Sequence, residues 1–65
     1  MDVTPRQRQI VELLAEGLST KEIAYRLGLR PRTVRTHLER LYRVHSVRTR
    51  AEAVARVLGR TNGDR

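Results

Sequence analysis

The sequence predicts an all-α fold, four short helices containing a helix-turn-helix. Three observations carry this. Apolar residues recur at helical spacing in four runs, and a Thr or Ser followed three residues later by Gln or Glu precedes three of them: Thr4–Gln7, Ser19–Glu22 and Thr49–Glu52. Gly17, Gly28 and Gly59 stand where three of the runs stop, as helix C-caps do. No stretch carries the alternation of a strand.

Taken in order, Met1–Val3 is a lead-in. Thr4 caps a first helix with Pro5 at its first position and Gln7 reaching back to the cap. It runs to about Glu16, turns Ile10, Val11, Leu13 and Leu14 inward, ends at Gly17 and tucks Leu18 beneath it. Ser19 and Glu22 open a second helix that reaches Leu27 with Ile23, Ala24 and Leu27 inward. Only Gly28, Leu29 and Arg30 separate it from Pro31, the first position of a third helix. A connection that short sets two helices at a steep angle, the helix-turn-helix unit. Ala24 lets the two helices approach, Leu29 plugs the turn, and Ile23, Leu27, Leu29 and Val34 form the shared core. The third helix covers 31–44. His45–Arg48 is a connector anchored by Val47, and a third capping box at Thr49–Glu52 opens a fourth helix ending near Leu58. Residues 59–65 read as a polar, flexible tail, so that 1–58 is the domain.

The third helix carries the chemistry. Val34, Leu38, Leu41 and His45 stack on one face at steps of four, three and four. Opposite them lie Arg32, Thr36, Glu39 and Arg43, with Arg35 and Arg40 on the shoulders. Guanidinium forks suit phosphates and guanine edges, and a helix is the element that fits a major groove. The bland reading is an ordinary solvated face. Its surroundings favour nucleic acid: the formal net charge is +7, and thirteen of the fourteen basic residues are arginine. Eight arginines and a single acid, Glu39, lie between Arg26 and Arg50.

Composition excludes other classes. With no Cys there is no disulfide framework, thiolate site or cysteine nucleophile. His37 and His45 lie eight apart without an acidic cluster, which leaves neither a metal site nor a cofactor in view. No nucleophile has a positioned base, so an enzyme is not expected. No apolar run suits a membrane span, and an intracellular location is the default expectation. Without Phe or Trp, neither lipid insertion nor single-strand stacking has its usual residues. Tyr25 and Tyr42 are assigned to core packing, and Glu39 to an ion pair with Arg35 or Arg43 rather than to a base contact.

These residues resemble a known family. Thr4-Pro5-Arg6, Leu14-Ala15-Glu16-Gly17-Leu18-Ser19, Lys21-Glu22-Ile23-Ala24, Leu27-Gly28, Arg32-Thr33-Val34-Arg35-Thr36-His37-Leu38 and Arg50-Ala51-Glu52-Ala53-Val54 are similar to the LuxR-type (GerE-type) helix-turn-helix DNA-binding domain. The likeness runs from Val3 to about Leu58. It implies a bacterial transcriptional regulator, often the C-terminal part of a longer response regulator, that binds pseudo-palindromic double-stranded DNA as a homodimer. It implies base contacts from Arg32, Arg35 and Thr36, and phosphate contacts from Thr20, Lys21, Thr33 and His37, with Arg40, Arg43 and Arg48 added as further phosphate contacts. The last helix would form the dimer contact, on a face of Ala51, Val54, Ala55 and Leu58. A cytoplasmic, nucleoid-associated location and RNA polymerase as a further partner are also implied.

Four departures from the family pattern stand out. Gln7 replaces Glu, Arg30 replaces a Ser or Thr cap, and His45-Ser46 replaces a Leu-Gly pair before Val47. Two alternatives stay open. One is a sigma-factor-like promoter-binding domain, which shares Thr-Pro-Arg and Glu-Ile-Ala…Leu-Gly. The other is a basic helical adaptor that meets an acidic protein.

Overall fold

Each helix begins where a side chain or a proline makes good a missing backbone partner. The computed structural model describes residues 3–59, in which α1 spans Pro5–Ala15, α2 Thr20–Leu27, α3 Pro31–His45 and α4 Arg50–Leu58. Thr4 Oγ1 accepts from the Gln7 N–H at 3.1 Å, and the Gln7 side-chain oxygen accepts from the Thr4 N–H at 3.1 Å. Ser19 and Glu22 make the same reciprocal pair at 3.2 and 2.7 Å. Removing one such cap costs about 1 kcal/mol.

The third box differs from expectation. Thr49 Oγ1 accepts from the Glu52 N–H at 3.1 Å, but the Glu52 carboxylate passes Thr49 and accepts from the Arg48 N–H at 2.6 Å. The longer reach ties the connector, rather than the cap residue, to α4. The end of α3 also lies one residue later than the sequence suggested, at His45, because Ser46 adopts the left-handed conformation that closes the helix (φ 56°). The Val47 N–H then donates to the Tyr42 carbonyl at 3.0 Å, turning the chain toward α4. The α2–α3 corner is built alike: Gly28 has φ 69° and the Leu29 N–H donates to the Ala24 carbonyl at 2.8 Å.

Helix α1 touches the other three helices, as does α3, whereas α2 and α4 do not meet. The neighbouring α1 residues Ile10 and Val11 feed two adjoining clusters. Ile10, Leu14, Ile23, Ala24 and Val34 form the first, under the helix-turn-helix, with Leu27 and Leu29 packed at its edge. Val11, Leu41, Val47, Ala53 and Val57 form the second, which seats α4. Leu38 and Val54 border both. Burying each fully dry Ile, Val or Leu stabilises the fold by about 1.5–3 kcal/mol before entropy is counted. A polar tie adds to the α1–α4 seam: Arg8 Nη1 donates to the Val57 carbonyl at 3.4 Å while its Nε lies 3.5 Å from Glu12.

One assignment is corrected. Tyr42 packs half-buried against the second cluster, but Tyr25 is 90% exposed. Helical spacing explains this, since Tyr25 points about 150° from the centre of the arc that Ile23, Ala24 and Leu27 turn inward. The expected tail at 59–65 lies outside the described residues except for Gly59, which ends α4.

Candidate nucleic-acid interface

Val34 and Leu41 anchor α3 from one side, with 0% and 1% of their surface exposed. That fixes which residues the helix turns outward. Arg32, Arg35, Thr36, Glu39, Arg40 and Arg43 are all exposed. At about 100° per residue they occupy one continuous arc opposite the core. Arg32, Arg35 and Thr36, the expected base readers, share its N-terminal half. Thr33 and His37 are half-buried on one shoulder of the arc.

The expected phosphate contacts come from three places. Thr20, half-buried, and Lys21, exposed, occupy the first turn of α2. Arg40 and Arg43 extend the arc along α3. Arg48 is exposed in the connector, where its backbone N–H is held by Glu52. The Arg30 side chain makes no cap bond, so the first-turn N–H groups of α3 are left uncapped beside Arg32.

Two electrostatic details shape this surface. The Glu22 carboxyl sits below its ordinary value, because it accepts from the Ser19 backbone N–H, is bonded to the Ser19 side chain, and faces Arg26; slight desolvation opposes this. A carboxylate in the first turn also suits the helix dipole. Burial pushes the Tyr42 phenol up, opposed by the charge of Arg50.

Glu39 departs from expectation. It lies within 4 Å of neither Arg35 nor Arg43; the one ion pair among the described residues is Arg8–Glu12. The long side chains leave the i,i+4 spacing unused, as exposed pairs gain little from closing. His45 is half-buried at the end of the apolar stripe, and its Nε2 is buried with no hydrogen-bond partner.

Helix α4 divides its expected dimer residues. Val54 and Leu58 pack partly against the core beside the buried Ala53 and Val57. Ala51 is exposed and Ala55 half-buried. The outward apolar strip is therefore Ala51, Ala55 and the free side of Leu58, with Val54 at its margin. Among the described residues no group of three or more His, Cys, Asp or Glu gathers as a metal site. No helix among them is long and apolar enough to cross a membrane.

Comparison with known proteins places this surface in context. A family profile described as "Bacterial regulatory proteins, luxR family" matches residues 1–57. The chain is 40% identical over 62 residues to the probable HTH-type transcriptional regulator GfsR of Streptomyces halstedii, covering 95% of this chain and 26% of that protein. It is 46% identical over 52 residues to a putative HTH-type transcriptional regulator of Mycobacterium tuberculosis, covering 80% of this chain and 6% of that protein. It is 39% identical over 51 residues to the nitrate/nitrite response regulator protein NarL of Escherichia coli, covering 78% and 24%. The chain thus spans about a quarter or less of the length of these relatives.

Proposed function

Since the chain belongs to the bacterial regulatory proteins of the luxR family, we propose that α3 lies in the major groove of an operator and reads base edges with Arg32, Arg35 and Thr36. Membership makes the chain a sequence-specific DNA-binding domain of a transcriptional regulator, not an enzyme. The single observation that carries the groove reading is the exposed arc of α3. Its arginines face away from Val34 and Leu41, on a helix braced by both core clusters.

Thr20, Lys21, Thr33, His37, Arg40, Arg43 and Arg48 hold the backbone on either side. The uncapped N-terminus of α3 offers N–H groups and the positive dipole end to a phosphate. The apolar strip of α4 joins two copies into a homodimer on a pseudo-palindromic site. Residues 1–58 are the DNA-binding unit, and the unit works at the nucleoid in the bacterial cytoplasm. Within a longer regulator, RNA polymerase is a further partner.

Thr36-His37-Leu38 and the fourth helix with Arg50-Ala51-Glu52-Ala53-Val54 stand against the sigma-factor-like alternative, and the family match through residue 57 takes in both. Selection from a randomised duplex tests the proposal. Enrichment of a site with two half-sites about one DNA turn apart is expected, with affinity falling steeply as salt rises. Equal binding to random and selected duplex at every salt concentration would refute the groove reading. Indifference to half a turn of added spacing would refute the dimer.

A further inference from the structure

On the reading of α3 as a groove-lying helix, we propose that Glu39 is a specificity-determining residue that accepts a hydrogen bond from the amino group of an operator cytosine. Three observations place it there. Glu39 is exposed near the middle of the outward arc, within about 40° of Arg32 and Arg35 on the helix wheel. It has no ion-pair partner within 4 Å, although Arg35 and Arg43 stand one turn before and after it. It is also the single acid between Arg26 and Arg50.

A carboxylate at a phosphate-rich surface weakens binding to every sequence alike unless a base edge returns a bond. Its oxygens only accept. In the major groove guanine presents N7 and O6 acceptors and thymine an O4 acceptor, so both repel it. Adenine offers one amino donor beside the N7 acceptor, a mixed edge that a carboxylate meets half in conflict. Cytosine offers its N4 amino group without an adjacent acceptor on the same base, and this is the edge that fits. Glu39 follows Arg32 by seven residues, about 10 Å along the axis at ~1.5 Å per residue. At ~3.4 Å per base pair, the cytosine lies about three base pairs from the base that Arg32 meets.

The test is site selection from a randomised duplex with the 65-residue chain and its Glu39→Ala and Glu39→Gln variants, each checked for unchanged helix content by circular dichroism. The wild type should show one position restricted to cytosine. Glu39→Ala should relax that position by roughly five- to hundredfold in relative affinity while binding random duplex more tightly. Glu39→Gln carries both a donor and an acceptor, and should move the preference there from cytosine to adenine. The proposal is overturned if both variants keep every wild-type preference and merely bind all duplexes more tightly. It also falls if the wild type selects a site with no cytosine position that responds to the variants. If the wild type enriches no sequence at all, the groove reading falls with it, which separates the two failures.

Discussion

The backbone N–H of Arg48 donates to the carboxylate of Glu52 at 2.6 Å, across the start of α4. This bond couples the connector that carries a proposed phosphate contact to the helix proposed as the dimer seam. Glu52→Ala removes it, together with a favourable charge at the helix N-terminus. We expect a loss of about 1 kcal/mol and a fall in Tm of roughly 4–8 °C for a domain of this size, read by thermal denaturation. An unchanged Tm would mean that Thr49 alone sets the start of α4.

Ser46 holds a left-handed conformation at φ 56°, where a Cβ is strained. Ser46→Gly should stabilise the domain by about 0.5–1 kcal/mol, the strain relieved less the extra freedom of glycine when unfolded. Urea denaturation would show a higher midpoint with the same slope.

His45 Nε2 is buried without a partner. Leaving a buried polar atom unsatisfied costs about 1–3 kcal/mol. His45→Leu removes that atom and extends the apolar stripe of Val34, Leu38 and Leu41, so the midpoint at neutral pH should rise. A fall would show that the imidazole finds a partner in solution.

The Glu22 carboxyl titrates below its ordinary value of about 4.5 when folded. Its contribution to stability is therefore complete above about pH 4.5 and is lost as pH falls through the lower folded value. Glu22→Gln should flatten that part of the acid limb while leaving the domain folded at pH 7. An acid limb identical to wild type would place the sensitivity elsewhere.

On the proposed assignment, Arg35 on the arc of α3 is a base reader and Lys21 in the first turn of α2 is a positioner. Arg35→Ala should cost about 1–3 kcal/mol at one base position and relax the choice there. Lys21→Ala should weaken all sequences alike and lower the salt slope by about one. Competition binding against single-base operator variants, repeated over a salt series, distinguishes the two. The reverse pattern would exchange their roles.

What the sequence determined by itself was local. Thr4, Ser19, Thr49, Pro5 and Pro31 mark helix starts through bonds spanning three residues or a preset φ, and the steps from Val34 to Leu41 decide which side of α3 is dry. Such signals need no distant partner, so four helices, the helix-turn-helix corner and the arginine face were legible along the chain. The expected place of Tyr25 in the core fails on local spacing alone, since its angle on α2 turns it outward. Tertiary packing decided the rest: that adjacent Ile10 and Val11 serve different clusters, that Val54 is drawn partly into the core, and that Arg8 reaches the carbonyl of Val57. These relationships join residues far apart in the chain, and periodicity within one helix carries no record of where another helix will lie. Glu39 and Glu52 show the same limit at short range, because spacing permits a bond to several neighbours while the direction of the turned backbone selects one or none.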